Sequence, residues 1–143
     1  MTVHATSTCR SLTLLHSPMK KILIIEDETI ISFGYRLQLE RMGFEVVGTA
    51  RSSEEAEVLL QQHTPDLIVM DIYLKGTKNG LELAQEIHAR TPTPILFLTA
   101  STNPEIISAI HALKDCHYLS KPINADSLED VLQHYIRPVP VRP

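Results

Sequence analysis

The sequence predicts an α/β fold, a five-stranded parallel sheet doubly wound by helices in the order βαβαβαβαβα. Three observations carry this. Apolar blocks of strand length stand at residues 22–25, 67–70 and 95–98, with a weaker one at 118–119 and a fifth, Phe-Glu-Val-Val, at 44–47 before Gly48. Their apolarity is continuous rather than alternating, as a strand covered on both faces requires. Segments of helical periodicity fill every gap, and right-handed crossovers between parallel strands then put helices on both faces of the sheet.

Each helix has its own signals. Residues 30–42 carry Ile31, Tyr35, Leu39 and Met42 at helical spacing and stop at Gly43. Ser52-Ser53-Glu54-Glu55 has the form of a capping box and opens a helix with Ala56, Leu59 and Leu60 on one face. Residues 80–90 present Leu81, Ala84 and Ile87. Asn103-Pro104-Glu105 supplies an N-cap, a first-turn proline and an acid that suits the helix dipole, ahead of Ile106, Ile110 and Leu113. Residues 126–136 close the domain with Leu128, Val131, Leu132 and Tyr135. The expected organisation is an extension or upstream start at 1–18, one domain at 19–137 and an extended proline-rich tail at 138–143.

Composition narrows the function. The 143 residues are 43% hydrophobic and 21% charged, a balance suited to one globular domain with a core large enough to need no disulfide or structural metal. Cys9 and Cys116 lie far apart without a CxxC spacing and are expected as free thiols in a reducing, cytoplasmic setting. Thirteen basic against seventeen acidic residues give a net charge of −4, which argues against direct nucleic-acid binding. No apolar run approaches the ~18 residues that span a bilayer.

In open parallel sheets, ligands sit beyond the carboxyl ends of the strands, near the point where strand order reverses. There the sequence places Glu26-Asp27-Glu28 after the first strand and Asp71 after the third. Thr99-Ala100 follows the fourth, and Ser120-Lys121-Pro122 the fifth. Singly, each is an ordinary solvated turn residue or cap. Together they form a rim. Carboxylates ~4 Å apart repel by about 4 kcal/mol per pair at an effective dielectric of ~20, so Glu26, Asp27 and Asp71 gathered together require a cation. An all-oxygen set with room for waters suits Mg²⁺, completed by a phosphate oxygen. Asp71 is then a nucleophile toward phosphorus, Lys121 supplies an ammonium, and Thr99 a hydrogen bond to a phosphoryl oxygen.

At these residues the chain resembles a response-regulator receiver domain, the CheY-like, flavodoxin-like phosphoacceptor module of two-component signalling. The motifs are Ile22-Leu23-Ile24-Ile25-Glu26-Asp27-Glu28, Pro65-Asp66-Leu67-Ile68-Val69-Met70-Asp71, Pro94-Ile95-Leu96-Phe97-Leu98-Thr99-Ala100 and Tyr118-Leu119-Ser120-Lys121-Pro122. The resemblance implies that Asp71 is phosphorylated and that Asp27, Asp71 and the Tyr73 carbonyl hold Mg²⁺, with Glu26 acting through a metal-bound water. It also implies that Tyr118 is an aromatic switch following Thr99 and that the Lys121-Pro122 bond is cis. Partners would be a sensor histidine kinase or histidine phosphotransfer protein and a downstream protein target. The expected output is remodelling of the fourth helix, fifth strand and fifth helix, or onward transfer in a phosphorelay.

This chain departs from the family pattern at several positions. Glu26 stands where Asp is usual, Lys75 where proline is usual, and the loop from Leu74 to Gly80 is one residue longer, so it is expected to be mobile. Tyr73 and Ser101, two residues beyond Asp71 and Thr99, should influence how fast water reaches the phosphoryl group. A second apolar stripe on the first helix, Ile30, Phe33 and Leu37, is expected chiefly as core, with a kinase-docking surface as the rival reading. Ile107 is likewise expected as core, the rival being a homodimer face. The seven histidines lack ligand spacing and are expected as solvated surface residues. Only seven residues follow Ile136, so output is expected through a protein contact. A haloacid-dehalogenase-type hydrolase would want a second Asp where Tyr73 stands. A pseudo-receiver scaffold would be expected to lack Asp71, Asp27 or Lys121.

Overall fold

The computed structural model describes residues 19–135, so the expectations for the N-terminal extension, the tail, Cys9, His4, His16 and the Tyr135 side chain lie outside the described residues. The chain alternates β1 (Lys21–Ile25), α1 (Thr29–Arg41), β2 (Glu45–Ala50), α2 (Ser53–Gln62), β3 (Leu67–Met70) and α3 (Gly80–His88). It continues with β4 (Ile95–Thr99), α4 (Pro104–Ala112), β5 (Cys116–Ser120) and α5 (Ala125–Tyr135). All strands are parallel, in the order β2-β1-β3-β4-β5. The fold is the doubly wound α/β sheet that the apolar blocks predict.

Alternation along the strands splits the core in two. Leu23, Ile25, Ile68, Met70, Ile95 and Phe97 point to the face covered by α2, α3 and α4 through Ala56, Leu83, Ala84, Ile87 and Ile110. Ile22, Ile24, Leu67, Val69, Leu96 and Leu98 point to the other, covered by α1 and α5 through Tyr35, Leu39, Leu128 and Leu132. β3 and β4 are buried at every position, which explains their unbroken apolarity.

Strand boundaries differ from expectation at the sheet edges. β2 runs three residues past Val47, through Gly48 and Thr49 to Ala50, and Phe44 precedes it. β5 begins at Cys116 and ends at Ser120. Each borders one neighbour only and tolerates exposed polar positions, so the apolar run underestimates its length.

Local chemistry at the helix starts is largely as read. Ser52 and Asn103 cap α2 and α4 through bonds from the Glu55 and Glu105 N–H groups. The reciprocal Glu55 bond goes one residue further back, to the Arg51 N–H at 3.0 Å. A full capping box closes instead at Asn79 and Glu82, a pair the sequence reading passed over.

Two surface expectations are corrected. Ile30, Phe33 and Leu37 are 87%, 59% and 41% exposed, because the sheet can cover only one stripe of α1 and Tyr35 and Leu39 occupy it. His88 is half-buried, its Nε2 bonded to the Thr93 carbonyl at 2.9 Å rather than to solvent. The loop after Asp71 makes side-chain bonds to α2 and α3, described below. Ile107 is half-buried, and Cys116 is a buried free thiol.

Candidate phosphoacceptor site

The chain runs from β1 to β2 in one direction and returns to place β3 on the opposite flank of β1, so a crevice opens at the carboxyl ends of β1 and β3. Glu26 and Asp27 leave β1 there, and Asp71 leaves β3. The backbone fixes both ends: the Asp71 N–H donates to the Ile25 carbonyl at 3.0 Å and the Glu26 N–H to the Ala50 carbonyl at 2.8 Å. The carboxylates of Glu26, Asp27 and Asp71 each bring an oxygen within 4.8 Å of the others. Among the described residues this is the one group of three or more acidic, His or Cys side chains so arranged.

Two of these acids are deeply placed, Glu26 at 2% and Asp71 at 7% exposure. Lys121, delivered from just beyond β5, bridges them: its Nζ donates to Glu26 Oε1 at 2.9 Å and to Asp71 Oδ2 at 3.2 Å. The Lys121-Pro122 peptide bond is cis, and the Lys121 N–H donates to the Thr99 carbonyl at 2.9 Å.

Burial sets the electrostatics. Loss of water raises the Glu26 pKa and outweighs the lowering by the Lys121 ammonium and the Glu28 N–H, while the Asp71 charge raises it further. Burial also opposes the Lys121 ammonium, yet its hydrogen bond to Glu26 and the negative charge of Asp71 prevail, and its pKa is raised. Tyr35, read from sequence only as core, lies in the same field. Burial raises its pKa, against Lys121 and with the carboxylates.

The rim is completed by two loops. The Tyr73 N–H donates to Asp71 Oδ1 at 3.3 Å, and its hydroxyl reaches Ser101 Oγ at 3.4 Å, so an exposed Tyr side chain crosses from the β3–α3 loop to the β4–α4 loop. The Ser101 N–H donates to the fully buried Thr99 Oγ1 at 3.2 Å. Glu26, Asp27, Asp71 and Lys121 are thus brought together, with Tyr73 beside Asp71 and Thr99 joined to them through Ser101. Tyr118 lies two residues below the Thr99 level, half-buried, its ring 5.8 Å from that of His111 on α4.

A residue without a functional group also packs against this site. A Cβ on Gly80 would collide with the Asp71 carbonyl oxygen and lie 2.8 Å from the Ile72 Cα. The first turn of α3 packs directly on the strand end that carries Asp71, and the Gly80 N–H donates to the Ile72 carbonyl at 2.7 Å. The glycine is visible in the sequence, but nothing local reveals what it approaches.

The three carboxylates and their depth fit a hard divalent cation, since clustered oxygen donors with an opposing ammonium match the needs of Mg²⁺ better than those of a softer metal. Comparisons with known proteins place the chain in a family. The response regulator receiver domain family matches residues 22–133. The transcriptional regulatory protein PdtaR of Mycobacterium tuberculosis is 32% identical over 109 residues, 76% of this chain and 53% of that protein. CitT of Bacillus subtilis, also a transcriptional regulatory protein, is 33% identical over 119 residues, 82% of this chain and 52% of its own. The chain therefore spans about half the length of the curated relatives it matches. Among solved structures, a two-component response regulator from Clostridium difficile superposes with a TM-score of 0.78 at 26% identity, covering 86% of this chain and all of that one. The chemotaxis response regulator CheY4 of Vibrio cholerae gives 0.73 at 29% identity, over 82% and 99% of the two chains. Family match, strand order and the acid–lysine cluster coincide, and the chain belongs to the response regulator receiver domains.

Proposed function

We propose that the protein accepts a phosphoryl group on Asp71 from a phosphohistidine of a sensor kinase or histidine phosphotransfer protein. The observation that carries this reading is the Asp71 carboxylate itself. It sits at the reversal point of the sheet, bonded to Lys121 Nζ at 3.2 Å, with Glu26 and Asp27 alongside. An Asp71 oxygen attacks phosphorus, the P–N bond to the donor imidazole breaks, and an acyl phosphate forms on Asp71. Lys121 neutralises charge on the transferring group, and Thr99 donates a hydrogen bond to one of its oxygens. Asp27, Asp71 and the Tyr73 carbonyl would hold Mg²⁺, with Glu26 acting through a metal-bound water; the ion would supply charge neutralisation to the transferring group.

The exposed stripe Ile30, Phe33 and Leu37 lies on α1, the helix that follows Asp27 in the chain, and offers an apolar landing surface for the donor. Tyr73 and Ser101 screen the phosphoryl group from water. Phosphorylation draws Thr99 and Tyr118 inward and shifts the population of the α4-β5-α5 face, which signals to a downstream protein or gives way to onward transfer. The setting is cytoplasmic. Among the described residues no helix is long and apolar enough to cross a membrane.

Incubation of the intact chain with Mg²⁺ and acetyl phosphate is expected to give an acid-stable, base-labile adduct of one phosphoryl group, lost in Asp71→Asn. No adduct in the wild type would leave the phosphorylation-independent scaffold as the better reading, and sustained turnover of unrelated phosphoesters would favour a hydrolase.

A further inference from the structure

The loop between Asp71 and α3 is held from outside at successive positions. Lys75 forms an isolated parallel bridge with Ser52, at the cap of α2. Glu54, in the first turn of α2, accepts from both the Thr77 N–H at 3.2 Å and the Thr77 hydroxyl at 2.8 Å through Oε2. Its Oε1 accepts from the Ser53 hydroxyl at 3.0 Å. Lys78 Nζ pairs with Glu57 of α2 at 3.2 Å and with Glu86 of α3 at 2.7 Å. Gly76, at φ +106°, turns the chain against Glu54 so closely that a Cβ there would strike the carboxylate. The hydrogen bond from the Thr77 hydroxyl and the others around it hold the Glu54 carboxyl down to about 2, so it is ionised throughout the neutral range.

The start of α2 is also joined to the acidic pocket. The β2 end that leads into it supplies the Ala50 carbonyl to the Glu26 N–H. One short junction, residues 50–54, therefore holds the backbone of one pocket acid and the loop that follows the other. At its far end the same loop delivers Gly80 against the Asp71 carbonyl, and at its near end it carries Tyr73.

We propose that Glu54 is a positioning residue of the phosphoacceptor site: by clasping Thr77 it fixes the β3–α3 loop, and with it the Tyr73 backbone and the orientation of Asp71. Glu54 touches neither the phosphoryl group nor a metal; it acts through Thr77. The inference rests on the phosphoacceptor reading, and the experiment separates the two.

Glu54→Ala, Thr77→Val, their double variant and Glu54→Gln would be compared with wild type in the intact chain by hydrogen exchange, Mg²⁺ titration calorimetry and acetyl phosphate labelling. Amide exchange in residues 73–79 should rise about tenfold in Glu54→Ala and less in Thr77→Val, as an anchored loop passes to the low-stability end. The Mg²⁺ dissociation constant should rise by up to about tenfold, the low end of the cost of removing a ligand's supporting bond. The double variant should equal Glu54→Ala, which already removes both Thr77 bonds, while Thr77→Val, which keeps the backbone N–H bond to Glu54, should fall short of it; Glu54→Gln, whose amide oxygen still accepts from Thr77, should recover part of the loss. Thr77→Val is nearly isosteric and keeps the test alive should Glu54→Ala misfold. Faster exchange with unchanged Mg²⁺ affinity and labelling, or exchange that does not change, overturns the positioning role. A wild type that neither binds Mg²⁺ nor takes label overturns the phosphoacceptor reading, whatever the loop does.

Discussion

Replacing Gly80 by alanine tests whether the first turn of α3 really braces the acceptor strand. Helix propensity alone favours alanine over glycine by about 1 kcal/mol in a helix interior. Packing opposes it: the added methyl would meet the Asp71 carbonyl oxygen and carbon and the Ile72 Cα, all backbone, with no flexible side chain to give way. Forcing a methyl into such a space costs about 1–3 kcal/mol through backbone displacement. Net of the propensity gain, up to about 2 kcal/mol of destabilisation remains, which for a domain of this size lowers the melting temperature by up to roughly 8 °C. Because the displaced atoms belong to Asp71 itself, labelling by acetyl phosphate should slow as well. Gly34 is the matched control, lying on the exposed side of α1 with nothing within 4 Å of its would-be Cβ. There alanine should stabilise by up to about 1 kcal/mol. Thermal denaturation followed by circular dichroism reads both. A Gly80→Ala protein as stable as Gly34→Ala would refute the close approach.

Three further outcomes follow from charge and burial. With three carboxylates within 4.8 Å, Mg²⁺ at ten times its dissociation constant should stabilise the fold by about 1.4 kcal/mol. Calorimetry should show the melting temperature rising and the rise vanishing in Asp27→Asn. Burial raises the Glu26 pKa, so the stability linked to this group is full below the unfolded carboxyl pKa and falls as pH climbs through the folded value. Metal-free Glu26→Gln should therefore melt above wild type at pH 7, with the gap closing toward pH 4. Burial, with a smaller push from Asp115, carries the Cys116 thiol up to about 11. Only about one thiol in a thousand is then thiolate at pH 8, and peptide mapping after iodoacetamide treatment of the native protein should find Cys116 unmodified.

The succession of strands and helices and the rim residues were legible because burial and chemistry impose them locally. β3 and β4 lie at the centre of the sheet, covered on both faces, and so must be apolar throughout. The polar groups at the carboxyl ends, Glu26, Asp27, Asp71, Thr99 and Lys121, stand out by interrupting that pattern. Edge strands obey a weaker constraint. β2 and β5 mix exposed and buried positions, which is why Thr49, Ala50, His117 and Ser120 were not assigned to strands.

What no local pattern carried was contact between distant segments. Glu54 and Thr77 are 23 residues apart, and each is an unremarkable surface residue until α2 and the β3–α3 loop are packed side by side. The exposure of Ile30, Phe33 and Leu37 was equally undecided, since a helix with two apolar stripes does not say which one the sheet will take; Tyr35 and Leu39 settled it by filling the space beside Ile24 and Leu128. Periodicity and strand-end chemistry act within a few residues and are written into the chain. Loop anchoring, Gly80 against Asp71 and the choice of buried stripe depend on surfaces that meet only once the sheet has formed.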